Sequence, residues 1–369
     1  MLMEAGNVPD TINLGRPNLE PMTDRTAPAI AAAAVEFPPH RHAQDDVITA
    51  LADFAGPEFH RFAAAAGVEH RNLALPLERY PTLTGFSEAN AAYLEVALEL
   101  GERAIVSALD KAGLQPSDVD VIFSTTVTGL AVPTVEARLA GRIGLRPDVK
   151  RVPLFGLGCV AGAAGVARMH DYLRAFPDQV AVLLAVELCS LTVQRDDMSV
   201  ANLVASSLFG DGAAAVVATG ANRNPSGPKI LATRSRLYPD TEGVMGWDIG
   251  TQGFKIVLSA EVPDVAEKYL GEDVTLFLAE FGLKTTDITT WVSHPGGPKV
   301  IDAIQNVLEL PADALDHTRT SLRNNGNLSS ASVLDVLRAN LAEAPAAGSY
   351  GVMIAMGPGF CSELVLLQW

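Results

Sequence analysis

The chain is poor in cysteine, with three in 369 residues. Three thiols make no disulfide framework, so the fold must rest on a hydrophobic core, and a reducing, cytoplasmic setting is expected. No apolar run approaches the roughly 20 residues of a membrane span. The first residues lack the basic-then-apolar pattern of a secretory signal. No stable membrane insertion is expected. Charge is scarce and one-sided: charged residues make up 19% of the chain, and 43 acidic against 27 basic side chains leave a net charge of −16. Such a surface repels phosphate backbones. It argues against nucleic acid as a general partner and leaves room only for a local basic mouth.

Hydrophobic residues, by contrast, reach 48%, enough for one large domain or two fused ones. Residues 1–28 mix Pro, Asn, Glu and Thr without periodicity and read as a flexible extension. The loop GANRNPSGP (Gly220–Pro228) is the best boundary. It divides a half at 29–225 from a half at 226–369. Val180–Glu187 is almost wholly apolar and predicts a central buried strand. Val152–Phe155 predicts a short buried strand. Phe86–Gly113 predicts a long helix with Gly101 as a candidate break, and Leu258–Phe281 a second long helix. Strands and helices alternate in both halves. The class is therefore α/β, with a largely parallel, helix-covered sheet and a hint of duplication.

One stretch stands out, VPLFGLGCVAGAAGVARMHDYL at Val152–Leu173. Gly156 and Gly158 supply a sharp turn from strand to helix, and Cys159 falls at the helix start. Free N–H groups there favour a thiolate, so Cys159 is expected to have a lowered pKa. A buried core thiol is the competing reading. His294 ends a predicted strand and precedes Pro295-Gly296-Gly297, and Asn327 sits between Gly326 and Leu328 in a tight turn. Singly, each has an ordinary structural explanation. Together they form a Cys/His/Asn set able to carry an acyl group and stabilise an enolate or oxyanion. Papain-like proteases use the same order, but their C-G-[SA]-C-[WY] motif is absent.

The motifs GLGCVAGAAG, SLFGDGAAAVV, VSHPGGPKVID, GNLSSASVL and AMGPGF resemble, in order, those of the type III polyketide synthases, the chalcone-synthase-like family. MGWDIG and the final MGPGFCSELVLLQW resemble the bacterial branch, in particular actinobacterial alkylpyrone synthases acting on long fatty acyl-CoA. The resemblance implies a thiolase fold of five layers, α-β-α-β-α, in two pseudo-duplicated halves, and a homodimer. It implies Cys159 as nucleophile with His294 and Asn327 beside it, acyl-CoA and malonyl-CoA as substrates, and no metal or redox cofactor. It makes Phe209 a gatekeeper between CoA tunnel and cavity. It puts Ile256 where plant enzymes carry a second gatekeeper phenylalanine, and Trp247 where they carry glycine. Val127 and Val132 fall on the pocket wall, with Val132 bordering the partner subunit's cavity. Gly357, Pro358 and Gly359 form the loop shaping the cyclisation pocket. Arg61 and Lys299 are CoA-contact candidates, although a neighbouring family lysine is Ala65 here. Cys189 and Cys361 read as structural.

The expected reaction is iterative decarboxylative condensation of malonyl-CoA onto a long-chain acyl-CoA starter, closing to alkylpyrones. Aldol closure to alkylresorcinols, a β-ketoacyl-carrier-protein synthase III-type enzyme, and an acyl-CoA-binding scaffold without turnover are the alternatives.

Overall fold

The computed structural model describes residues 26–55, 58–223 and 226–369. The extension expected at 1–28 therefore lies, up to residue 25, outside the described residues. The first half runs β1 (Ala29–Glu36), β2 (His40–Ala43), α1 (Gln44–Ala55), α2 (Glu58–Ala65), β3 (His70–Leu73), α3 (Phe86–Ala112), β4 (Val121–Thr125), α4 (Val135–Ile143), β5 (Lys150–Leu154), α5 (Ala161–Ala175), β6 (Val180–Leu188), α6 (Val200–Leu208) and β7 (Asp211–Thr219). The second runs β8 (Lys229–Leu237), β9 (Met245–Gly250), β10 (Gly253–Leu258), α7 (Val262–Ala279), β11 (Ile288–Ser293), α8 (Pro298–Val307), α9 (Asp316–Asn325), α10 (Ser332–Glu343), β12 (Tyr350–Gly357) and β13 (Cys361–Gln368).

Nine strands follow the order β11-β12-β13-β8-β1-β7-β6-β4-β5. The sheet is mixed rather than largely parallel. Only β11–β12, β4–β6 and β4–β5 pair in parallel; the remaining neighbours are antiparallel. Reading outward from β1 through β7, β6 and β4 repeats the strand directions from β8 through β13, β12 and β11. Alternation of helix and strand in sequence misses this, because β7 and β13 each turn back beside an earlier strand of their own half. β1 and β8 meet at a single pair, Ala29 with Lys229.

The strands around that seam are buried on both faces. In β6, Val182, Leu184 and Val186 face one cluster with α3, whereas Ala181, Leu183 and Ala185 face another with α5. In β12, Met353 and Ala355 face the α5 side, and Val352, Ile354 and Met356 a third cluster with α7 and α8. This period-two split stacks five layers: α3 and α4, the first half-sheet, α5 with α10, the second half-sheet, then α7 and α8. The expected five-layered thiolase-type fold is present. Helix α3 runs without a break through Gly101, which has no Cβ to meet the side chains of Leu139 and Leu184.

Two expectations fail here. β5 is an exposed edge strand instead of a buried one. The helix expected from Leu258 begins at Val262, because residues up to Leu258 form a β9–β10 hairpin that pairs only with itself.

The central layer depends on small residues. A Cβ at Gly162 in α5 would stand 2.3 Å from the Ser330 carbonyl oxygen and 2.6 Å from Val333 Cγ1. Ala ordinarily stabilises a helix over Gly by about 0.5–1 kcal/mol. Gly162→Ala is expected to reverse that sign and cost about 1–3 kcal/mol by overpacking, read as a lower urea midpoint. A raised midpoint would refute the close approach.

Candidate active site

After β5 the chain turns through Gly156 and Gly158, at φ 90° and 54°. A Cβ on Gly158 would also lie 2.8 Å from Pro358 Cδ, so glycine is required on two counts. A single 3-10 turn, Gly158–Val160, presents Cys159 before α5 begins. The thiol is 5% exposed, and its Sγ lies 3.7 Å from Ser329 Oγ. Burial pushes the thiol up to about 12. Ser329 pulls it down and the Glu187 charge pushes it up further. The lowered value expected from the helix start is overturned: a helix terminus is worth about 0.3–1 kcal/mol at the surface, less than full desolvation of a charge.

His294 follows β11, and its backbone N–H donates to the Ile354 carbonyl at 2.8 Å. Burial alone pushes its imidazole down to about 3. Neither ring nitrogen has a hydrogen-bond partner among the described residues, so both are available to a ligand. Asn327 is held on both sides. Its Oδ1 accepts from the Ser329 backbone N–H at 2.8 Å and from Ser332 Oγ at 3.4 Å. Its Nδ2 lies 3.5 Å from the Gly296 carbonyl, and its side chain also bonds the Cys159 thiol and pulls it down slightly. The first bond also supports Ser329, a non-glycine residue at φ 50°.

Cys159, His294 and Asn327 line one cavity of ≈ 30 Å³. Across the thiol lies a second, of ≈ 50 Å³, walled by Val127, Trp247, Ile256, Phe209 and Pro358. Trp247 and Ile256 are cross-strand partners on the β9–β10 hairpin, whose Phe254 packs edge-on against Phe86 at 5.4 Å. A third cavity of ≈ 530 Å³ adjoins the second across Thr128, Cys189, Ala205, Ser206 and Phe209. Phe209 lines all three. Cys189 is thus a cavity-wall residue on a 3-10 turn rather than a strand residue. Cys361 opens β13, with Sγ 3.2 Å from the Pro358 carbonyl. Gly357 ends β12, where a Cβ would stand 2.7 Å from the Val160 nitrogen, so the Gly357–Gly359 hairpin turn presses on the cysteine turn.

Other expected residues stand apart. Val132 is 95% exposed, precedes a cis bond to Pro133, and walls none of these cavities. Arg61 and Lys299 are exposed and line none of them either; Arg61 lies over the Phe62 ring and Lys299 in the first turn of α8.

Glu187 is not among the expected site residues, although a carboxylate closing an otherwise apolar strand is a visible anomaly. It is fully buried. It accepts from Val127 N–H at 3.1 Å, from Thr128 Oγ1 at 2.9 Å and from Ser330 Oγ. Burial nevertheless raises it to about 7. Ser329 lies within the GNLSSASVL motif, where nothing in the sequence sets it apart from its neighbours.

Residues 69–223 match the N-terminal domain, and residues 229–369 the C-terminal domain, of chalcone and stilbene synthases. The chain is 54% identical over 351 residues to a 1,3,6,8-tetrahydroxynaphthalene synthase of Streptomyces peucetius subsp. caesius, covering 92% of this chain and 93% of the relative. It is 36% identical over 341 residues to a putative chalcone synthase of Bacillus subtilis, covering 89% and 91%. Its fold superposes on the crystal structure of 1,3,6,8-tetrahydroxynaphthalene synthase from Streptomyces coelicolor with a TM-score of 0.88 at 31% identity, over 92% of this chain and 99% of that one.

Burial disfavours a lone thiolate and a lone imidazolium alike, whereas proton transfer between them leaves the pair neutral. His294→Ala removes the acceptor. Alkylation of Cys159 at pH 7 is expected to slow at least tenfold, with its pH profile displaced upward; an unchanged profile would separate the two groups. For Glu187, the folded value of about 7 exceeds the ordinary 4.5. Its stabilising contribution is complete below pH 4.5 and lost as pH rises through 7. Glu187→Gln should therefore gain up to about 3 kcal/mol over the native protein at pH 8 and little at pH 4. Urea unfolding at the two pH values checks this, and an equal gain at both would refute it.

Proposed function

Since the chain belongs to the chalcone and stilbene synthase family, the type III polyketide synthases, and is an acyltransferase, we propose that it condenses malonyl units on Cys159 and closes them to a polyhydroxylated aromatic of the tetrahydroxynaphthalene kind. The family acts on malonyl-CoA and acyl-CoA thioesters without a required cofactor. The observation that carries the reading is the convergence of buried thiol, imidazole and carboxamide on one cavity. Cys159 attacks a CoA thioester while neutral His294 takes its proton and returns it to the departing CoA thiolate. The next malonyl-CoA sets its thioester carbonyl against His294 and Asn327 Nδ2. Loss of CO2 then leaves an enolate held by two donors. That enolate attacks the Cys159 thioester and expels the thiolate, leaving the lengthened chain on CoA; transfer back to the sulfur then releases CoA.

Product choice rests on two supports. One is the 54% identity to a tetrahydroxynaphthalene synthase; the ten ring carbons of naphthalene equal five two-carbon units. The other is size: the cavity beside the thiol, ≈ 50 Å³, is far smaller than the ≈ 530 Å³ cavity beyond it, which suits a short starter. A long acyl-CoA starter giving alkylpyrones, or alkylresorcinols by aldol closure, is the second reading. It is favoured by the apolar wall of Val127, Val193, Trp247 and Ile256 and by the ≈ 530 Å³ cavity beyond, at ~0.8 kcal/mol per buried CH2. That route requires the Thr128–Cys189–Phe209 partition to open. Family membership sets aside the carrier-protein synthase, the protease and the non-catalytic scaffold.

Further parts of the reading concern assembly and the tunnel. The protein works as a cytoplasmic homodimer of two-halved subunits divided near 225. The exposed β5 edge, half-exposed Phe155 and exposed Val132 support an interface that brings Val132 to the partner's cavity. Phe209 acts as gatekeeper, with Ile256 and Trp247 reshaping the wall and Gly357-Pro358-Gly359 bounding the cyclisation space. Lys299 meets CoA phosphate at the start of α8, where free amides favour anions, and Arg61 contributes a second cation.

Mass spectrometry of products from malonyl-CoA alone, and with short to long acyl-CoA starters, tests the reading. A hydroxylated naphthalene or its quinone from malonyl-CoA alone is expected, and Cys159→Ala should abolish all product. Products formed only with long starters would hand the site to the second reading, and silence throughout would overturn both.

A further inference from the structure

Helix α6 ends against the reactive site, and its last carbonyls need partners. The Ala205 carbonyl receives the Phe209 N–H at 3.0 Å. Beyond that the helix is closed from outside. Arg71 Nη1 donates to the Ser206 carbonyl at 2.5 Å and to the Phe209 carbonyl at 3.1 Å. Gln44 Nε2 donates to the Ser207 carbonyl at 2.7 Å. The Asn327 N–H donates to the Leu208 carbonyl at 2.9 Å, and the Gly210 N–H returns a bond to the Asn327 carbonyl at 2.9 Å. Phe209, which lines all three cavities, is thus clamped beside Asn327, which lines the smallest, by the backbone bonds of its two neighbours, and Arg71 and Gln44 close the remaining carbonyls around them.

Arg71 is an unusual choice for this task. It is 3% exposed, and no carboxylate lies within ion-pair distance of it among the described residues. The nearest candidate, Asp211, is occupied by the Ala74 N–H at 2.6 Å, the Ser190 N–H at 2.8 Å and Ser190 Oγ. The guanidinium is spent on carbonyls, with Nε and Nη2 unpartnered. Its carrier strand β3 pairs with β2, and Gln44 follows directly. Gln44 N–H donates to the Glu69 carbonyl at 2.8 Å, and Glu69 N–H to the Arg323 carbonyl at 2.7 Å near the end of α9. The route closes on itself, because α9 leads through Gly326 to Asn327.

We infer that Arg71, assisted by Gln44, is a positioning residue that fixes Phe209 and Asn327 relative to each other and thereby couples loss of CO2 from malonyl-CoA to carbon–carbon bond formation. The inference rests on Asn327 holding the enolate, as in the reading above. When the C–CO2 bond breaks, its electron pair passes into the enolate. With the wall and the donor in register, that pair forms the carbon–carbon bond to the acyl carbon on Cys159, whose C–S bond breaks to free the thiolate. With them out of register, it takes a proton from water and leaves as acetyl-CoA.

Two readouts test this. The first is acetyl-CoA released per malonyl unit incorporated, with active sites counted by acylation of Cys159, so that misfolded protein does not enter the ratio. Arg71→Met is expected to raise the ratio at least fivefold and lower kcat for product at least tenfold, with KM for malonyl-CoA changed less than threefold. Arg71→Lys, which restores one cationic donor, should recover much of the loss. Gln44→Leu, which strips one carbonyl of its partner, should move the ratio the same way by about twofold. The second readout needs no substrate: amide hydrogen exchange at Gly210 and Asn327 should quicken at least tenfold in Arg71→Met, or severalfold in Gln44→Leu. Unchanged ratios in folded variants, or exchange at the native rate, would overturn the inference. If Arg71→Met does not fold, Arg71→Lys and Gln44→Leu decide it. A native protein that never decarboxylates malonyl-CoA would strike the proposed function, and the exchange measurement would still judge the positioning.

Discussion

The site is governed by exclusion of water. Cys159, His294, Asn327 and Glu187 are all buried, and the same desolvation moves three of them away from charge: the thiol up, the imidazole down and the carboxylic acid up. A site that resists net charge at rest favours steps in which charge is exchanged within it. In the proposed reaction, thiol to imidazole, carboxylate to departing CO2 and enolate to thioester are all of that kind. The same dryness strengthens each hydrogen bond aimed at a developing oxyanion.

Dryness of this order demands a scaffold with no slack. The two half-sheets press on α5 and α10 from both sides, and α5 meets its neighbours through glycines and alanines at Gly162–Gly165. The thiol, imidazole and carboxamide come from separate places: the turn before α5, the end of β11 and the turn after α9. Their common setting is the packed middle, so the geometry of the site is a property of the core as a whole. Where α6 stops short of the site, backbone bonds between Leu208, Gly210 and Asn327 replace packing as the tie.

Much of this was legible in the sequence. The apolar β6, the Gly-Leu-Gly-Cys turn and the His-Pro-Gly-Gly strand end are local signals, and each reads correctly. Strand direction was not legible, because pairing of β7 and β13 with earlier strands is a long-range choice that no local window contains. The β9–β10 hairpin was hidden by Leu258, which reads equally well as the start of a helix. The thiol's environment was misread because a helix start is visible in sequence and burial around it is not. Arg71 carried no signal either: its partners are carbonyls more than a hundred residues away.

The β9–β10 hairpin stands outside the nine-stranded sheet and pairs only with itself. Yet it supplies Trp247 and Ile256 to the wall beside the Cys159 thiol. Substitutions on its inner face can therefore redraw the reaction chamber while leaving the hydrogen-bond ladders of the main sheet as they are. A lineage carrying this architecture has one replaceable panel in an otherwise fixed room, and new chemistry is most accessible to it there.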